Sequence, residues 1–108
     1  MNLNLSTPVQ KALNEGRPLL AMESTILSHG LPYPESLNFV LRANELCQES
    51  NVVPATTAII DGVFHIGLDK SQMDFISHDK SIKKVSRQEL GIPAVERWNG
   101  ATTVSTTM

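Results

Sequence analysis

The sequence predicts an α/β protein, an incomplete α/β/α sandwich with a small antiparallel hairpin near residues 54–67. Three observations lead there. Stretches with helical apolar spacing alternate with short β-rich runs. Asp61-Gly62 stands between two such runs as a type I′ turn signal, because both central residues of that turn need positive φ. The 108 residues suit one domain but hold fewer βαβ units than a finished sheet of this class uses.

Ser6-Thr7-Pro8-Val9-Gln10 reads as a helix start. Thr7 can cap, Pro8 suits the first helical position and Gln10 completes a capping box, while Gly16 offers a stop. Pro18–Ile26 is an apolar run that turns polar at its end, the pattern of a buried strand whose C-terminal end opens at a site. Residues 28–34 contain Gly30, Pro32 and Pro34 and are expected to form an extended loop rather than a helix. Leu37, Val40, Leu41, Leu46 and Cys47 define one stripe of a helix over 35–51. Pro54–Ile60 and Val63–Ile66 form the hairpin, and Met73 and Ile76 mark a helix within 69–79. Ile82–Val85 is a brief strand. Ser86 with Glu89 makes a second capping box, and Pro93 starts a turn or kinks the helix leading to Trp98. Residues 99–108 begin as a loop leading into an element that has no visible end.

Nine basic and eleven acidic residues give a net charge of −2. They form no basic stripe, so nucleic acid is not an implied partner. No apolar run approaches the roughly 20 residues of a membrane span, and the N-terminus has no signal core. The chain reads as soluble and cytoplasmic, with no membrane partner. Cys47 is the single cysteine. It forms no intrachain disulfide, has no zinc-ligand companion and reads as a buried helical thiol.

No dinucleotide, P-loop, nucleophile-elbow or HExxH motif occurs. Glu23 follows the apolar Leu19–Met22. At the end of a buried strand, desolvation would favour its protonated form and suit a general acid; alternatively it is the solvent-side residue of a half-buried strand. His29, in the Gly/Pro loop, is the histidine best placed for a site, whereas His65 and His78 look like strand-face and helix-end residues. Lys83 and Lys84 could hold a phosphate or simply be solvated. Asn99–Val104 suits an anion at a helix start, or an ordinary cap.

Residues 21–34, running from Ala21-Met22-Glu23-Ser24-Thr25 to His29-Gly30-Leu31-Pro32-Tyr33-Pro34, closely resemble the N-terminal signature of the pseudouridine-5′-phosphate glycosidases. The resemblance continues in order through Val53–Thr56, Ile59–Gly62 with Gly67-Leu68, Lys84–Arg87 with Glu89, and Asn99–Val104 with Thr107-Met108. That order disfavours an unrelated small α/β binding domain. The resemblance implies reversible cleavage of the C–C glycosidic bond of pseudouridine 5′-phosphate to uracil and ribose 5-phosphate, assisted by manganese, in a homotrimer. It implies that Glu23 is the proton donor and that Lys84 and Val104 contact the phosphate-bearing sugar. The family attacks the anomeric carbon with a lysine, forming a Schiff base, since a carbon leaving group departs less readily than oxygen. That lysine and the metal-binding Asp lie beyond the matching segment, about the family's first third. Residues 1–108 are therefore expected to be a truncated N-terminal portion, inactive alone. The alternative is a non-catalytic phosphosugar-binding or partner-binding fragment, folded only with a complementary C-terminal chain.

Overall fold

The computed structural model describes residues 2–78, 82–85 and 99–102, with 83–85 described by their backbone. In chain order its elements are β1 (Leu3–Leu5), α1 (Thr7–Glu15), β2 (Leu19–Met22), a π-helical turn (Ile26–Gly30), α2 (Glu35–Glu49), β3 (Val53–Ile60), β4 (Val63–Ile66), α3 (Lys70–His78), β5 (Lys83–Val85) and β6 (Gly100–Thr102). The second capping box at Ser86 and Glu89, the Pro93 turn and Val104 lie outside the described residues.

The α/β class and the hairpin are as the sequence predicts. β3 and β4 pair antiparallel from Thr57↔Ile66 to Ile60↔Val63, joined by Asp61 at φ 50° and Gly62 at φ 78°. The turn is steadied from elsewhere: the Asp61 N–H donates to Asn99 Oδ1 at 2.7 Å. The sheet runs β1-β4-β3-β6-β5, with β2 also paired to β3. β1 is parallel to β4 and was not foreseen, although Leu3 and Leu5 alternate with asparagines. α1 is capped by Ser6, whose Oγ accepts from the Val9 N–H at 3.3 Å, and not by Thr7, which is already helical. Gly16 ends α1 at φ 68°, as its position suggests.

Ala58 pairs with Ala101 across β3 and β6. These small residues let Leu27 of the π turn, Leu37 and Val40 of α2, and Met73 and Ile76 of α3 pack closely on one face of the sheet. Ile59 and Phe64 form a smaller cluster on the other face, with Ile66 against it. The stripe of α2 differs from expectation. Leu37 and Val40 are buried, but Leu46 is 49% exposed and Cys47 half-buried. Residues 28–30 also depart from the expected extended loop. They close a π turn in which a Cβ on Gly30 would lie 2.9 Å from Ile26 Cγ1. The Tyr33-Pro34 peptide bond is cis.

Candidate active site where strand ends meet

β2 runs parallel to β3 and pairs with its first half, Leu19↔Val53 to Met22↔Thr56. β6 runs antiparallel to β3 beside its second half, at Ala58 and Ile59. The two strands therefore approach each other and end face to face near Thr56 and Thr57. The join combines backbone and side-chain bonds: Ser24 N–H donates to the Thr102 carbonyl at 3.2 Å, and Thr102 N–H donates to Ser24 Oγ at 2.7 Å. β5 is parallel to β6 and ends level with it, Val85↔Thr102. Three carboxyl ends thus converge, the place where α/β sheets open their ligand crevices.

Glu23 is the first residue beyond β2 and is half-buried. It lines a pocket of about 350 Å³ with Met22, Ile26, Phe39, Val40 and Ala43. Within an otherwise apolar wall, its carboxyl is the group able to exchange a proton with a guest. Lys84 stands one residue before the end of β5, opposite Ala101 in the register. Val104 is outside the described residues. The expected helix start at Asn99–Val104 is corrected over 99–102. Gly100–Thr102 is a strand in the sheet, and the Asn99 side chain serves the hairpin turn, because pairing with β3 and β5 satisfies backbone groups that a helix start would leave free.

None of the three histidines lines the Glu23 pocket. His29 is exposed, with Nδ1 bonded to Ser28 Oγ. His65 lies 3.2 Å from Asn4 Nδ2, and burial lowers its pKa while Asp69 acts weakly in the opposite sense. His78 approaches Asp74 at 3.7 Å. Asp74 also accepts from Tyr33 Oη at 2.9 Å, and this bond to a carboxylate raises the Tyr33 pKa.

Sequence reasoning missed Ser24, Thr57 and Thr102, whose hydroxyls meet at the junction. Their signal was slight: two threonines within the apolar run of β3 and one in Gly100–Thr102. Among the described residues no three His, Cys, Asp or Glu side chains gather to hold a metal ion. The manganese implied by the resemblance therefore has no ligand set among them. No helix among the described residues is long and apolar enough to cross a membrane.

The profile of the indigoidine synthase A like protein family matches residues 8–108. A pseudouridine-5′-phosphate glycosidase of Petrotoga mobilis is 43% identical over 106 residues, which are 98% of this chain and 35% of the relative. A solved indigoidine synthase A (IdgA)-like protein from Thermotoga maritima MSB8 superposes with a TM-score of 0.86 at 28% identity, over 99% of this chain and 34% of its own. The prealnumycin C-glycosynthase AlnA, solved in complex with ribulose 5-phosphate, superposes with a TM-score of 0.80 at 30% identity over 99% of this chain and 34% of its own. The chain spans about a third of the length of these relatives. A match through residues 8–108, on a shared arrangement of helices and sheet, establishes that the chain belongs to the indigoidine synthase A like protein family.

Proposed function

We propose that this chain is part of a cytoplasmic pseudouridine-5′-phosphate glycosidase and supplies its proton donor, Glu23. The observation that carries the reading is Glu23 itself, at the convergence of strand ends and on the wall of an apolar pocket, in a chain 43% identical to a glycosidase of that name. In the reaction the bond between the sugar's anomeric carbon and the uracil carbon breaks. The leaving carbon takes a proton, and water finally supplies the hydroxyl of ribose 5-phosphate. Glu23 delivers the proton to the base. Lys84 and Val104 serve as contacts to the phosphate-bearing sugar, a class supported by the ribulose 5-phosphate bound to AlnA. The nucleophilic lysine and the manganese ligand come from the part of the relatives' length that this chain does not span, and the assembly is a homotrimer.

The test carries this chain in place of the matching 106 residues of the Petrotoga mobilis relative and follows uracil release with manganese present. The completed protein should turn over, the 108-residue chain alone should not, and Glu23→Gln should lower kcat by about 10²–10⁴-fold, the usual worth of a general acid. Unchanged turnover in Glu23→Gln would remove Glu23 from the reaction. A second reading, a phosphosugar-binding piece without turnover, is favoured by the AlnA complex. Heat from ribose 5-phosphate that is lost in Lys84→Ala, with no uracil released by the completed protein, would select it.

A further inference from the structure

Glu23 lies between two residues tied down by hydroxyl groups. On one side the Met22 carbonyl accepts from Thr57 Oγ1 at 3.3 Å. On the other, Ser24 N–H donates to the Thr102 carbonyl, which also accepts from Thr25 Oγ1 at 2.7 Å. Thr102 N–H donates to Ser24 Oγ at 2.7 Å. Thr102 Oγ1 donates to the Thr57 carbonyl at 2.9 Å and stands 2.8 Å from Thr57 Oγ1 and 3.2 Å from Ser24 Oγ. Ser24 and Thr102 are fully buried and Thr57 nearly so.

Hydroxyls in so dry a place cost free energy unless bonded, and a valine at 102 would fill a strand position of the same shape without that cost. Packing alone therefore does not explain them. Their use follows from topology: β2 and β6 meet end to end, so no ladder of strand hydrogen bonds joins them, and the hydroxyls form much of the join. We propose that Thr102, acting through Ser24 and Thr57, is a positioning residue that holds the end of β2, and with it Glu23, in reacting orientation. The proposal rests on Glu23 being the proton donor. A displacement of about 1 Å at a reacting group costs on the order of 10²-fold in rate.

The experiment uses the completed protein and compares Thr102→Val in two backgrounds, the parent and Glu23→Gln. In the parent, Thr102→Val should lower kcat about 10–100-fold and leave KM within about twofold, because the chemical step and not sugar binding is disturbed. Thr102→Ser, which keeps Oγ, should recover most of the loss. In the Glu23→Gln background, Thr102→Val should add nearly nothing, since a residue acting through Glu23 has nothing left to position. The same loss in both backgrounds would overturn the proposal and leave Glu23's role standing. No loss from Glu23→Gln alone would overturn both. Should Thr102→Val fail to fold, Ser24→Ala carries the same comparison with a smaller deletion.

Discussion

At the scale of single residues, Glu23 and Thr102 show two kinds of legibility. Glu23 is visible in sequence because a carboxylate breaks an apolar run. Its junction with Thr102 is not, because the partners Ser24 and Thr102 lie 78 positions apart and serine or threonine is common at caps and in loops. His65 offers an independent test of the residue environments. Burial is the main cause that holds its pKa below the usual imidazole range, with Asp69 opposing. The folded chain therefore takes up the proton less readily than the unfolded one. Stability from this group is full above the ordinary histidine pKa and is lost as pH falls through the lowered folded value. The urea midpoint should fall as pH drops through and below the ordinary histidine range, and His65→Gln should flatten its share of that decline. An identical decline in the variant would assign the pH dependence to other groups.

Among the elements, helices and the hairpin follow from local chemistry, whereas a tight approach between elements does not. α1 meets the end of β4 at Gly67, whose φ is 93°. A Cβ there would come within 2.7 Å of Val9 Cγ2 and closer still to Ser6 Oγ. Gly67→Ala should therefore destabilise the fold by about 2–4 kcal/mol, from left-handed strain and overpacking together, measured as a drop in the urea midpoint at unchanged m-value. A loss below about 0.5 kcal/mol would show that α1 can shift away freely. In sequence Gly67 stands out by its place in a matching segment, and the reason for a glycine there appears once α1 is docked. β6 makes the related point. Gly100–Thr102 looks like a cap or loop by composition and becomes a strand because β3 and β5 both pair with it.

For the whole molecule, the exposed apolar surface is the main consequence. Phe39 is 56% exposed and Leu46 49% exposed on α2, and Leu20 on β2 is 48% exposed. Phe39, Ala43 and Leu46 follow the i, i+4, i+7 spacing of a second helix stripe. Exposed apolar side chains sharing one helix face favour association. The isolated chain should self-associate at high concentration in sedimentation, and Phe39→Glu should shift it towards monomer without loss of helical signal. A parent chain that sediments as a monomer throughout would contradict this.

The hairpin turn, the stop at Gly16 and the spans of α2 and α3 could be read directly from the chain, since each depends on backbone preference or spacing within a few residues. Strand order, the opposed directions of β2 and β6, the outward stripe of α2 and the setting of Glu23 could not. They depend on which distant segments pair, and local periodicity is the same whichever partner a strand finally takes.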